Sequence, residues 1–481
     1  MPAGVDIEAA LWELQKRGLF YQDRAVPEVE FSFKHVITQE SVYQSLSPDR
    51  RRNLHAGVAS AIEEIYPELS DEHAETLAYH HERSGNTVQA VGYLLRAGIR
   101  PRRNYANNDA IKILSRGMEL LSALPKKTEN QQRRLEFLLA VGVPTVFLRG
   151  IASSQARRVY EEAVVLSRTI GTDEQQFEAV LGLRRNTFGM GKMTSVAKLN
   201  AELQGIGRRS GNIDYICRSY VMTSEALFWA GEYPESLRFA MLAEESYISE
   251  HRLAQARLFG TDTGVFAIIK ALARWHEGNM SAATADIESY RKKAKELGHP
   301  INFVVASIYS AIVYQLCDDP ERMLTILDPA LEVSWVYGTQ FLSSWAGGFR
   351  GWATGRAGDL ESGMDIIRES LATGANVIGT VTRPCNLTLL GDLLLQAGRL
   401  DEAETALSES IDTAKLTGLK GFLAEALRLK GEAVCAAEAS RRSEITQPGR
   451  RYFEQAIECA RAQGSVQFSE RARRSLAKHY G

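Results

Sequence analysis

Apolar residues along this 481-residue chain recur almost everywhere with the period of an α-helix, and Gly, Asn and Pro punctuate them. Residues 6–17 place Ile7, Ala10, Leu11 and Leu14 on one helical face, with Asp6 as a candidate cap. Strand signals stand out once: Leu19-Phe20-Tyr21 and Phe31-Ser32-Phe33 flank a polar, proline-containing connection and predict a short β-hairpin. Helical periodicity returns over 36–46 and 50–66, with Pro48 between them and Ser47 as a cap. Helix, hairpin and helices in this order predict a small winged-helix-like module. From Ser70 onward strand signals nearly vanish.

The stretch 77–97 sets a repeating register. A turn at Ser84-Gly85-Asn86 separates two helices; small Ala78 precedes it, and Ala90, Leu94 and Ala97 follow at helical spacing. This is the tetratricopeptide pattern, in which small residues let paired helices approach and each pair needs a neighbour to bury its apolar face. Alignment on the turn residue gives Gly85, Gly231, Gly278, Cys317, Gly358 and Gly398. The later spacings of about 40 residues suit helical-pair arrays. Seven residues before these turns stand Ala78, Ser224, Ala271, Ser310, Gly351 and Gly391; five after stand Ala90, Ser236, Ala283, Arg322, Gly363 and Ala403, where Arg322 alone is large. Residues 98–191 repeat less clearly, and Pro144 with Gly150 predicts a bend there. A polar insertion over 438–449 precedes a helix expected at 450–463.

Composition narrows this little. Charged residues make up 24% of the chain and the net charge is −2, which gives no general pull toward nucleic acid or anionic membrane. The most apolar late window, 264–273, contains Lys270 and is too short to span a bilayer. The start carries acids and no long apolar core, unlike a secretory signal. The five cysteines form no CxxC pair, which points to buried thiols in a reducing compartment and hence to a cytoplasmic protein. Asn386-Leu387-Thr388 spells a glycosylation acceptor that a chain without an export signal does not use.

Several segments match a known architecture. Phe31-Ser32-Phe33-Lys34-His35-Val36-Ile37-Thr38-Gln39-Glu40, with Tyr43, Arg51, Leu54 and His55, is the first. Ala78-Tyr79-His80-His81-Glu82, Gly260-Thr261-Asp262-Thr263-Gly264-Val265, Gly351-Trp352-Ala353 and Leu427-Arg428-Leu429-Lys430-Gly431-Glu432 continue it over nearly the whole chain. Together they resemble the C-terminal part of bacterial multidomain signalling proteins that join a class III adenylate or guanylate cyclase, a STAND-type ATPase and a tetratricopeptide tail. The resemblance implies that the cyclase domain, Walker A loop and Walker B carboxylate would lie before Met1. It also implies a nucleotide-sensing role for His35, since histidines of that module can approach bound phosphates; the plain alternative is a structural histidine at the end of the second strand. Relatives carrying a DNA-binding helix-turn-helix share the same tail logic.

No catalytic constellation accompanies these features. Around Gly189-Met190-Gly191-Lys192, a Walker A loop would need Gly where Asn186 stands and Ser or Thr where Met193 stands. His80 and His81 are adjacent, about 100° apart on a helix, and cannot share a metal as HExxH histidines do. His251, Arg257 and Asp262 suggest a hydrogen-bonded lock at a repeat junction. The basic segment 441–481 lacks aromatic interleaving or a recognition-helix pattern, so it reads as a solvated capping helix. First helices of tetratricopeptide pairs line the concave side. Counting back from the turns therefore gives Glu225, Phe228, Trp275, Trp345, Trp352 and Asp392 as groove residues, weighed against ordinary core packing.

The sequence thus predicts an all-α, tetratricopeptide-like helical-repeat superhelix with an N-terminal winged-helix-like module containing a short hairpin. The expected segments are 1–68, the degenerate repeats 69–190 and the solenoid with capping helices 191–481. The expected role is a non-catalytic interaction or sensor module, with no cofactor or metal. Its groove takes a protein partner or a small-molecule signal, in cis or in trans with an ATPase or cyclase domain, and neither membrane nor nucleic acid. The alternatives are a truncated cyclase or ATPase and the regulatory tail of a transcription regulator.

Overall fold

A computed structural model describes residues 7–24, 30–103, 107–248, 263–441 and 448–481. Asp6, His251, Arg257 and Asp262 lie outside the described residues, as do 442–447 of the expected insertion. Packing separates two units, Met1–Ala97 with Arg116–Ala123, and Gly98–Ser115 with Leu124–Gly481. The segment expected at 69–190 is divided between them.

In the first unit, helix Ile7–Lys16 precedes antiparallel strands Phe20–Arg24 and Glu30–Phe33. Phe20 pairs with Phe33 and their rings meet edge to face, with centroids 4.3 Å apart. Helices Val36–Ser45 and Pro48–Ile65 follow; Ser47 Oγ accepts the Arg50 N–H at 3.3 Å, and Pro48 fills a position that needs no donor. Helix Ala74–Ser84 ends at Gly85, whose φ of +87° reverses the chain into helix Thr87–Arg103. Leu77, Ala78, Ala90 and Leu94 are buried, as the repeat register requires.

The second unit is all helical among its described residues, and consecutive antiparallel pairs run from Thr128–Arg149 with Ser154–Ile170 to a final helix, Val466–Tyr480. Its turns correct the register at one place. Cys317 has an ordinary φ of −83°, and Asp318 takes the left-handed conformation at +58°. Gly278, Asp318, Gly358 and Gly398 therefore form the turn series, at a constant spacing of 40 residues. Aspartate tolerates this region better than most side chains, so the turn survives without glycine. The same turn then caps the next helix: Asp319 Oδ1 accepts the Arg322 N–H at 3.1 Å, as Asp359 does for Ser362. The one-residue shift replaces Ser310 by Ala311, also small, and Arg322 by buried Met323, which removes the one charged member of the second column.

The small columns mark the closest helix contacts. Helices Gln340–Arg356 and Leu360–Val377 touch backbone to backbone: a Cβ on Gly351 would lie 2.6 Å from the Gly363 carbonyl oxygen. In the pair Ile213–Ala230 and Tyr233–Glu245, Ser224 and Ser236 each donate a hydroxyl to the other's carbonyl, at 2.7 and 2.8 Å.

Helix Thr128–Arg149 runs through Pro144, as an expected bend rather than a domain break allows, and stops at Gly150, which has a φ of +91°. One further expectation changes, that for the last helix. Helix Pro448–Ala462 is followed by Val466–Tyr480, whose Phe468 and Ala472 are buried, so the last helix is packed rather than merely solvated. It packs against the middle of the array. His276 Nδ1 lies 2.9 Å from Ser465 Oγ, and Arg471 donates to the Leu316 carbonyl at 2.6 Å. Elsewhere the Gly421 N–H reaches the Trp229 carbonyl at 2.9 Å, and the Thr380 N–H reaches Gly189 at 2.8 Å. Repeats far apart in sequence thus meet, and the side of the first helices becomes a packed interior.

Candidate functional site

That interior holds the six candidate groove residues and two notable cavities. Trp275, Trp352 and Asp392 come together on a polar chamber of about 510 Å³. Glu225 and Trp345 line a second, mostly apolar cavity of about 130 Å³. Phe228 lines neither; it is buried beside Trp229, Tyr233 and His276.

The polar chamber is organised by arginines on aromatic faces. Trp352 donates its indole N–H to Asp392 Oδ2 at 2.8 Å, one repeat further along, and the Arg356 guanidinium lies 5.5 Å from the Trp352 ring centroid. Arg356 also reaches both carboxylate oxygens of the turn residue Asp318 at 2.7 Å. Across the chamber, Arg471 sits 5.1 Å from the Trp275 ring centroid and donates to Glu425 Oε1 at 3.2 Å. Arg428 grips the same carboxylate through bonds of 2.8 and 3.0 Å. Burial by itself would raise the Glu425 pKa, but Arg428 and Arg471 outweigh it and hold it at about 2. Asp392 goes the other way: burial outweighs the Trp352 bond and the Arg356 and Arg428 charges, and its pKa is raised.

Two groups in this chamber stay unused. Gln315 is buried, yet its Oε1 has no hydrogen-bond partner among the described residues. Arg474, exposed at the rim, has no ion-pair partner among them. Arginines set against tryptophan faces in this way can hold an anionic or planar group by charge and stacking.

The second cavity has a polar wall. Arg184, only 1% exposed, donates to Glu225 Oε2 at 2.6 Å, to the Met222 carbonyl at 2.6 Å and to Asn200 Oδ1 at 3.1 Å. The Tyr309 hydroxyl donates to the other oxygen of Glu225, and burial, followed by the Glu225 charge, pushes its pKa well up.

His35 precedes helix Val36–Ser45 with an exposed side chain that makes no capping bond. His80 and His81 separate as adjacent helical positions must. His80 Nδ1 lies 2.9 Å from His55 Nδ1, whereas His81 reaches Glu63 at 3.0 Å and stacks on Tyr93. The loop around Gly191 is a repeat turn with φ +68°. Among the described residues no group of three or more His, Cys, Asp or Glu is placed to hold a metal, and no helix is long and apolar enough to cross a membrane.

Sequence reasoning missed Gln315, Glu425, Arg428 and Arg471. Gln315 escaped through the single-residue register error, because it stands three before Asp318, where Trp275 stands three before Gly278. The other three come from helices distant in sequence, and only the Glu425–Arg428 spacing of an intrahelical pair hinted at them.

No family model matches the chain. An uncharacterised protein of Rhizobium meliloti (strain 1021) is 24% identical over 468 residues, which cover 96% of this chain and 45% of that protein. The chain therefore spans less than half the length of this relative. Among solved structures, a STAND protein with a tetratricopeptide repeat sensor from Pyrococcus horikoshii is 11% identical, covering 93% of this chain and 66% of its own, with a TM-score of 0.43. NprR in complex with its cognate peptide NprX is 14% identical, covering 72% and 98%, with a TM-score of 0.41. A Rap protein complexed with competence and sporulation factor is 13% identical, covering 81% and 96%, with a TM-score of 0.38.

Proposed function

We propose that this chain is a non-catalytic interaction and sensor module whose polar chamber binds an acidic segment of a partner protein. One observation carries the reading: Arg474, free of an ion-pair partner among the described residues, stands on the same chamber as Arg471 stacked over Trp275. Four arginines line the chamber with three carboxylates, Asp318, Asp392 and Glu425, so positive charge is in excess and the local field favours an anion. The tryptophan faces add apolar contact suited to a peptide side chain.

The test uses the whole chain and short fluorescent peptides rich in glutamate, with glutamine counterparts as controls. Glutamate peptides should bind more tightly, and Arg474→Glu should weaken them without moving the melting temperature, since the side chain is exposed. Equal binding of both peptide sets, or unchanged binding by Arg474→Glu, overturns the reading.

In a second reading the module regulates a STAND ATPase or cyclase domain on the same polypeptide. The length of the Rhizobium relative supports it, because more than half of that protein lies outside the matched region. An in-frame cyclase and Walker A segment in the DNA upstream of Met1 would sustain this version; a stop codon and promoter there would end it.

A further inference from the structure

We infer that the apolar cavity is a binding site for a small monocarboxylate with a ring-sized apolar body, its carboxylate held by Arg185 and its body packed among Phe147, Phe188, Val305 and Phe341. This site is separate from the polar chamber and does not rest on the reading given for it.

Two donor side chains that line the cavity, Arg185 and Trp345, have no hydrogen-bond partner among the described residues. Arg184 and Arg185 are adjacent, and both line the cavity. Arg184 is fully committed to Glu225, Asn200 and the Met222 carbonyl. Arg185 is partly buried and has neither a hydrogen bond nor an ion pair among the described residues. A guanidinium cannot shed its proton at ordinary pH, so a poorly solvated one gains from an anion beside it. Burial, and next the Arg218 charge, disfavour its charged form in the unliganded protein.

The second donor is independent. Trp345 is 8% exposed, and its indole N–H is covered and has no hydrogen-bond partner among the described residues. Buried N–H groups are normally bonded, so this one is a donor still without an acceptor among the described residues, on a side chain that lines the cavity.

Size and lining select the rest of the ligand. The cavity volume of about 130 Å³ approaches that of an engineered apolar cavity of roughly 150 Å³ that admits benzene. Apolar side chains dominate its walls, and few polar groups converge on it, the usual composition of a small-molecule site. Phosphate or sulfate would leave that apolar wall uncompensated, and a neutral hydrocarbon would leave Arg185 unmatched.

The test titrates the full-length chain with benzoate, cyclohexanecarboxylate, benzamide and acetate, using calorimetry and the Trp fluorescence. Benzoate and cyclohexanecarboxylate should bind on the order of tenfold or more tightly than benzamide or acetate. Arg185→Met, which loses no hydrogen bond, should remove the preference for benzoate over benzamide; Arg185→Lys should keep part of it, and Trp345→Phe should weaken benzoate further. Equal binding of benzoate and benzamide, undiminished benzoate binding by Arg185→Met, or binding by none of the four compounds would each overturn the inference. The first of these would leave an unspecific apolar pocket, and the last a cavity filled by water.

Discussion

Glu225 is the carboxylate on which the interior polar wall depends, and replacing it by leucine tests that dependence. The variant strips Arg184 of its 2.6 Å ionic bond and leaves a guanidinium that is 1% exposed with only the Asn200 side chain and a backbone carbonyl. It also leaves the Tyr309 hydroxyl without its acceptor. Breaking one half of a buried ion pair costs about 3–5 kcal/mol. At the low end that raises the local opening equilibrium by roughly 100-fold or more. Because repeat arrays need not unfold in one step, the assay is hydrogen exchange resolved to helices Asp173–Gly189, Ile213–Ala230 and Pro300–Leu316, alongside urea unfolding. The double variant Arg184→Met/Glu225→Leu removes both charges and should recover a large part of the loss. Its remaining deficit should be about 1–3 kcal/mol, from the unpaired Tyr309 and Asn200 groups. Protection unchanged in Glu225→Leu, or a double variant as damaged as the two single losses summed, would refute the claim that these charges are mutually dependent.

Three further outcomes test close packing and the histidine contact. Gly351→Ala should destabilise by about 1–3 kcal/mol in thermal melts, since its Cβ would meet the Gly363 carbonyl oxygen at 2.6 Å and that oxygen belongs to a packed helix backbone. Gly374→Ala, in the same helix pair but with open space around it, should instead stabilise by up to about 1 kcal/mol. The His55–His80 contact should make the first unit acid-sensitive. Both pKa values are lowered from 6.5, chiefly by burial and then by the Arg83 charge for His55 and the His55 charge for His80. The unfolded chain then takes up protons first, so the contribution is present in full above pH 6.5 and is lost as the pH falls through the lowered values. Exchange protection of helix Ala74–Ser84 measured on either side of that pH reads this out, and His80→Asn should flatten the dependence.

How far the sequence could carry the argument depended on the distance between partners. The Gly85 turn, the hairpin pairing Phe20 with Phe33, and the small columns at Ala78, Gly351 and Gly391 are local statements about backbone angle, alternation and helix spacing. Each is visible within about 40 residues. The turn set at Cys317 was one residue early: no glycine marks this turn, and both the 40-residue spacing from Gly278 and the aspartate pair at 318–319, which carries the left-handed residue and the following cap, point to Asp318. Candidate binding residues were harder. Counting back from turns found Trp275, Trp352 and Asp392, which share one chamber, but it also gave Phe228, which packs with its neighbours in the core. The partners that give the chamber its charge, Arg428 and Arg471, become neighbours only because distant repeats meet. Arg185 offered no periodic signal at all: its significance lies in what surrounds it, and what surrounds it comes from several helices.

The long-range seam between the middle and the end of the second unit has a consequence for how the chain is made. Trp275 and His276 are covered by Phe468 and Ser465, and 189 residues separate His276 from Ser465. At synthesis rates of about 5–20 residues per second, that cover reaches the ribosome's exit roughly 10–40 seconds after the surface it closes. During that interval a growing polypeptide displays a patch of tryptophan, histidine and aliphatic side chains that the finished protein hides. Folding holdases have their natural window there, and a chain stopped short of Ser465 would lack helix Val466–Tyr480 and leave the seam uncovered.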